Sequence, residues 1–270
     1  MNKIWTVALL AALSLALAGA ISSFAEKVVE FKFNNSFTNT GSYSGNGAFE
    51  GSGAGYSADG AGLSGQAGDY ALSTGAADGR GTFGGIGTQL DGDSISIAMW
   101  VKLPYVDDNG RNGVRGAFFC LDNGLWVRLN NPGWADGEIE TGPGGFIVPT
   151  YHINATTNWQ FLAYTYTSVG AGTSTLRFDQ GNNVGNGTFT SQTLYNNLNT
   201  FAGSQYDFNI GYLQDWNNNH LPNALVDNVR VFNTALSSTE LQDLRNVDLI
   251  PEPALIGVLA LGGLLLRKRC

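Results

Sequence analysis

The chain has 270 residues, with 22 Asp and Glu against 14 Lys and Arg, a formal net charge of −8 and only 13% charged residues. So acidic a chain repels phosphates and shows no basic patch with interleaved aromatics, which excludes nucleic acid as a partner. Two cysteines, Cys120 and Cys270, are too few for a disulfide framework, and Cys120 reads as a small buried apolar residue.

At the N-terminus, Lys3 precedes a leucine- and alanine-rich run from Ile4 to Ala18, and small residues follow at Ala18-Gly19-Ala20 and Ser23-Phe24-Ala25. A charged start, an apolar middle and a small-residue exit predict a secretory signal peptide over residues 1–25, cut after Ala25, with Ala20 the second choice. The alternative, a retained membrane helix, fits less well because the apolar run is short.

Beyond it, 37 glycines and abundant Asn, Ser and Thr separate short β-branched and aromatic runs. Strands are predicted at 28–33, 70–73, 94–103, 116–121, 125–129, 145–152, 159–167, 174–178, 208–212 and 224–232. In 94–103, Ile95, Ile97, Met99 and Val101 alternate with Ser94, Ser96, Ala98 and Trp100, one set per face. Asp122-Asn123-Gly124 reads as a hairpin turn. The glycine- and serine-rich stretch 39–65 reads as long surface loops anchored by Phe49 and Tyr56, not as a disordered linker. So many short strands predict an all-β, two-sheet antiparallel sandwich.

One helix is predicted. Ser237-Ser238-Thr239-Glu240 is a capping box with Ser237 as N-cap, Leu236 and Leu241 stand at hydrophobic-staple positions, and the helix runs to about Asn246. Pro251 stops it from continuing. Next come Pro251-Glu252-Pro253, an apolar run over 254–266, and the cations Arg267, Lys268 and Arg269. The run has no polar face, so it seeks a membrane or a fully buried site. About 13 residues at about 1.5 Å each reach roughly 20 Å against about 30 Å of hydrocarbon, which suits a transient anchor with its cationic end on the cytoplasmic side. Loss of both ends removes four cations and one acid, leaving the remainder more acidic still.

These three tail elements resemble the PEP-CTERM sorting signal of Gram-negative bacteria. The resemblance implies a temporary membrane anchor cut by an exosortase-type processing enzyme, and delivery to the outer surface or extracellular matrix. A second resemblance covers 62–241. Leu225-Val226-Asp227-Asn228-Val229-Arg230-Val231-Phe232, followed by Leu236-Ser237-Ser238-Thr239-Glu240-Leu241, is similar to the closing signature of laminin-G-like, concanavalin-A-like jelly rolls. Gly62-Leu63-Ser64-Gly65-Gln66-Ala67-Gly68, the strand carrying Trp100, and Asn158-Trp159-Gln160-Phe161-Leu162-Ala163-Tyr164-Thr165-Tyr166 match further motifs in order. The family's Tyr-x-Asp-Gly hairpin corresponds to Arg177-Phe178-Asp179-Gln180-Gly181, with an inserted Gln. The expectation is a signal peptide (1–25), one jelly-roll domain with a short C-terminal helix (26–246), and a linker with the sorting tail (247–270).

Asp227 is the first candidate site. By alternation it shares a face with Leu225, Val229 and Val231, where a carboxylate is costly unless paired or metal-bound. The resemblance implies that it helps hold a structural Ca²⁺, which favours oxygen ligands; bonding to backbone amides or an arginine is the other reading. Asp107-Asp108-Asn109-Gly110-Arg111-Asn112-Gly113 lacks the spacing and terminal Glu of a calcium loop and reads as a polar hairpin. Glu138 and Glu140 share a strand face, but no third acid completes the pattern of related glycoside hydrolases. His152 and His220 have no metal-ligand spacing. Trp134, Trp216 and Asn217 stand in polar loops, where flat rings beside amides suit sugar stacking. The function expected is non-catalytic binding of extracellular polysaccharide, or adhesion; a glycan hydrolase or lyase, or a purely structural matrix component, is the alternative.

Overall fold

The computed structural model describes residues 25–76, 78–86, 90, 94–103, 116–121, 125–129, 139–142, 158–170, 173–183, 189–198, 207–213 and 219–250. The signal peptide, the sorting tail, the strand expected at 145–152 and the polar hairpin at 107–113 lie outside these residues. In chain order the elements are β1 (Lys27–Phe31), β2 (Ala48–Glu50), β3 (Gly55–Tyr56), β4 (Leu72–Ser73), β5 (Arg80–Phe83), β6 (Ile95–Lys102), β7 (Gly116–Leu121), β8 (Leu125–Leu129), β9 (Ile139–Gly142), β10 (Gln160–Thr167), β11 (Ser174–Asn182), β12 (Phe189–Leu198), β13 (Phe208–Ile210), β14 (Tyr212–Leu213), β15 (Asn219–His220) and β16 (Leu225–Phe232), then helix α1 (Ser238–Asp248).

The strands form two antiparallel sheets and a small ribbon. One sheet has the order β12-β11-β10-β6-β16-β4-β3, with β1 also paired to β16; the other has the order β2-β5-β13-β7-β8-β9; β14 pairs β15. Between the sheets lies the main core, which takes Ile95, Ile97, Met99 and Val101 from β6, Phe119 and Leu121 from β7, Phe208 and Ile210 from β13, and Val229 and Val231 from β16. Burying one such side chain fully is worth about 1.5–3 kcal/mol. The alternation of β6 therefore assigns its faces correctly. Its second face is buried too: Ala98 and Trp100 join Trp159, Phe161, Phe232 and the helical Leu241 and Leu244 in a separate apolar layer. Helix α1 covers the outer face of the eight-stranded sheet.

The glycine-rich stretch 39–65 is folded onto the sandwich by aromatic contacts. Phe37 packs at 4.7 Å from Phe31 and 5.0 Å from Phe49, and Phe49 at 4.8 Å from Tyr56. The stretch contributes β2 and β3, too short and glycine-rich to read from a pattern.

The helix begins as predicted. Ser237 accepts from the Glu240 backbone N–H while the Glu240 side chain accepts from the Ser237 N–H, and the helix extends two residues past its expected end. Strand β11 departs from expectation. It runs through the motif 177–181 to Asn182, with Phe178 opposite Tyr164 and Gly181 opposite Phe161, so no hairpin turn stands there. Gly181 serves packing instead: a Cβ there would lie 2.6 Å from Cδ and Nε of Arg245, whose Nε donates to the Asn182 carbonyl at 2.8 Å. The expected strand 208–212 is broken at Gly211 (φ 82°), whose N–H donates to the Phe118 carbonyl at 3.0 Å.

A buried ionic network ties sheet to helix. Arg230 on β16 stands opposite Glu30 on β1 and donates from Nε to Glu30 Oε1 at 2.9 Å. Its two terminal nitrogens donate to Asp248 at 2.8 and 2.6 Å, and Trp100 Nε1 donates to the same carboxylate at 2.8 Å. Burial alone would raise the Glu30 carboxyl; the hydrogen bond from Lys27 and the charge of Arg230 reverse that and hold it at about 2, down from 4.5. A depressed carboxyl stabilises the fold above pH 4.5 and loses that contribution as pH falls towards 2. Removing one partner of a buried pair costs about 3–5 kcal/mol. Arg230→Ala is expected to lower the urea-unfolding free energy by about that amount, because the buried Asp248 loses its cation and Glu30 keeps only Lys27. A loss under about 1 kcal/mol would contradict the assigned role.

Candidate functional site

Asp227 is 1% exposed, but it does not share a face with all the residues that strict alternation assigns to it. The pairing of β16 with β6 shifts between Asp227 and Arg230, and Asn228 adopts φ 47°. Asn tolerates this left-handed conformation better than most residues, and the extra residue forms a bulge. Val226, Val229 and Val231 point into the main core, whereas Leu225 and Phe232 lie in the layer beneath the helix. Asp227 thus shares the outer face with Leu225, while Val229 and Val231 are turned away from it by the bulge.

There the carboxylate clasps a loop. Asp227 Oδ2 accepts from the Leu63 N–H at 2.9 Å, and Oδ1 from the Asn228 N–H at 2.7 Å. The clasped segment is itself tight: Asp69 Oδ2 accepts from both the N–H and the hydroxyl of Ser64 at 2.6 Å, and a Cβ on Gly62 would meet the Asp69 carboxylate at 2.4 Å. Two stretches far apart in sequence, 62–68 and 225–232, therefore meet at one hydrogen bond. Burial, reinforced by the nearby acids Asp69 and Asp248, pushes the Asp227 carboxyl up to about 8 against the pull of the two N–H donors.

This is the environment of a carboxylate whose ionised form lacks a compensating cation. Each oxygen uses one lone pair and keeps another, so the residue fits an oxygen-ligated cation such as Ca²⁺. Among the described residues no three His, Cys, Asp or Glu side chains converge.

The six-stranded sheet supplies a second candidate surface on its outward face. Ala48, Thr82, Asn209, Cys120, Trp126 and Gly142 stand opposite one another in a single row across β2, β5, β13, β7, β8 and β9. Their neighbours Phe83, Phe208, Ile210, Phe119 and Val127 point into the core. The row thus carries a hydroxyl, an amide and an indole, of which Thr82 and Asn209 are only 7% and 6% exposed, leaving Trp126 the accessible group. Trp126 is half-buried and packs on Ala117 and Cys120. Beside it, Arg80 lies 4.3 Å over the Tyr212 ring and pairs with Glu50 at 2.6 Å.

The remaining sequence candidates divide clearly. Cys120 is buried, as expected. His220 pairs with Tyr212 in the ribbon β14–β15. Glu140 stands on edge strand β9 opposite Arg128. Glu138, His152, Trp134, Trp216 and Asn217 lie outside the described residues, as do Pro251, Glu252, Pro253, Arg267, Lys268 and Arg269. The row through Thr82, Asn209 and Trp126 escaped the sequence reading. Its only local signals were Asn209 between Phe208 and Ile210, and Trp126 one place before inward Val127.

The sequence profile of the concanavalin A-like lectin/glucanases superfamily matches residues 66–242. The chain belongs to this superfamily. Among solved structures, this superfamily member is similar to domain 4 of AbnA, a GH43 extracellular arabinanase from Geobacillus stearothermophilus, in complex with arabinotriose. The identity is 20% and the TM-score 0.52, over 82% of this chain and 98% of that one. It is also similar to the binding domain of botulinum neurotoxin serotype D (12%, TM-score 0.53, 83% of this chain). The receptor-binding domain of the mosaic serotype C/D is similar too (11%, TM-score 0.53, 82% of this chain). The superfamily member spans about half the length of the two neurotoxin chains, 51% and 50%. At these identities the likeness is one of fold. No curated protein matches the chain.

A raised carboxyl reverses the usual pH dependence. The unfolded chain releases the Asp227 proton near 3.8 and the folded one near 8, so this residue's contribution to stability is complete below 3.8 and is lost as pH rises to about 8. In chelator, the melting midpoint is expected to fall between pH 4.5 and 8, and Asp227→Asn to flatten that limb. An equally steep limb in the variant would show that another group causes it.

Proposed function

We propose that this chain is a non-catalytic, polysaccharide-binding or adhesive protein, exported by a Gram-negative bacterium to its outer surface or extracellular matrix. The observation that carries the reading is the outward row of the six-stranded sheet. α1 closes the outer face of the other sheet, whereas this face presents the half-buried Trp126, with the buried Thr82 (7% exposed) and Asn209 (6%) in register beside it. A sugar ring needs such a mixture: donors and acceptors for its hydroxyls and a flat apolar surface for its C–H face. The arabinotriose complex of an arabinanase domain with this fold lends the reading chemical support, though fold alone does not assign function.

In this proposal the loop residues Trp134, Trp216 and Asn217 extend the surface. Residues 1–25 direct export, and the tail from Pro251 to Arg269 holds the protein in the membrane until an exosortase-type enzyme cuts it. Asp227 holds a structural Ca²⁺ that makes the 62–70 loop part of the body. Cation binding needs the ionised carboxylate, so calcium is expected to raise the melting midpoint more at pH 8 than at pH 5, and Asp227→Ala to abolish the shift.

The ligand test uses residues 26–250 and titration calorimetry against a panel of neutral plant and bacterial polysaccharides. At least one is expected to bind, with Trp126→Ala weakening it at least tenfold, about 1.4 kcal/mol, while the fold is retained. No binding by folded protein across the panel would favour a purely structural matrix role. Release of reducing ends would favour the hydrolase, and Glu140→Gln would then be the first variant to assay.

A further inference from the structure

The C-terminal end of the folded body is fixed rather than trailing. Asp248, the last residue of α1, takes three hydrogen bonds, two from Arg230 at 2.8 and 2.6 Å and one from Trp100 at 2.8 Å. Leu249 packs against the apolar layer between the helix and the eight-stranded sheet, and so does Ala25 at the other end of the described chain. Ile250 then bonds back to the Val247 carbonyl at 3.1 Å. Val247 and Ile250 are 53% and 58% exposed, two of the three large hydrophobics that are exposed among the described residues. Both chain ends thus leave from the helix-covered side, and an apolar step sits where the C-terminal end leaves.

The apolar run begins at Ala254, and the four residues from Pro251 to Ala254 reach at most about 14 Å even when fully extended. Two of them are prolines, whose fixed φ further limits folding back. That reach is less than the thickness of the body, which comprises two sheets about 10 Å apart and a helix layer of about 10 Å. A tether so short cannot let the sandwich turn over freely.

We propose that, while residues 251–270 are in the membrane, the protein lies with its α1 side on the lipid headgroups, Val247 and Ile250 at the contact. The outward face of the six-stranded sheet, on the opposite side of the sandwich, then points away from the membrane. This rests on the anchor reading of the tail and extends it. The ligand face is available before the tail is cut, and the processing enzyme works within a few residues of the Asp248 clamp.

The test uses the full chain in vesicles of phosphatidylethanolamine and phosphatidylglycerol carrying a headgroup quencher. Cys270→Ser leaves buried Cys120 as the only native thiol. Single fluorophores are then placed at two exposed positions, Gln242→Cys on α1 and Ala48→Cys on β2. Flotation first reports whether the chain is anchored, and quenching then reports orientation. Quenching several-fold stronger at position 242 than at 48 is the expected result. Equal or reversed quenching in floated protein overturns the orientation alone, whereas failure to float overturns the anchor reading and the orientation with it.

Discussion

Arg230 is the side chain on which the arrangement of the outer layer depends. It is 5% exposed and lies between Glu30 on β1 and Asp248 at the end of α1. Buried ion pairs contribute little net stability, because desolvation offsets the attraction. Their value here is in register. Glu30 and Arg230 are direct cross-strand partners, and a slip of β1 by one residue would turn Glu30 into the main core and Val29 out of it. The same guanidinium aligns the helix, since its bidentate grip on Asp248 fixes the distance and rotation at which α1 meets Trp100.

The bulge at Asn228 is the second constraint, and it acts on the same strand. Without it, Asp227 and Arg230 could not both face outward while Val226, Val229 and Val231 all face inward. One left-handed residue thus separates a carboxylate that clasps the 62–70 loop from a guanidinium that clasps the helix. Both devices do the same thing at two points along the outer face of β16: they fold an outlying segment onto a sheet face that would otherwise expose Trp100, Phe161 and Phe232.

This accounts for what could be read from the residues and what could not. The alternation of 94–103 gave both faces of β6, because a strand buried on two sides still sorts its side chains by parity. The capping box located the start of the helix at Ser237, since its chemistry is complete within four residues. The face of Asp227 was lost because parity holds only while the ladder is regular, and an Asn in the left-handed region leaves no stronger trace than its own name. Strand β5 was hidden by its glycine: Gly81 stands beneath the Phe37 ring, where a Cβ would come within 2.8 Å, so its lack of a side chain is a packing requirement and not a turn signal. The row on the six-stranded sheet was invisible for a different reason. It joins six strands, and no local pattern records which residues become neighbours across a sheet.

The character of that row also limits which glycan it suits. The chain is acidic overall, and Arg80 on this face is already paired with Glu50 and stacked on Tyr212. A polyanionic polysaccharide would meet a net repulsive field and would gain Arg80 as a counter-charge only by displacing Glu50. A neutral sugar needs neither. Thr82 and Asn209, though largely buried, line the face without net charge, and Trp126 packed on Ala117 and Cys120 offers a ring whose position is fixed before a ligand arrives, so little ordering is left to binding. A face whose accessible group is a braced indole, beside a neutral hydroxyl and amide, is therefore better matched to an uncharged polymer than to the charge of an acidic one.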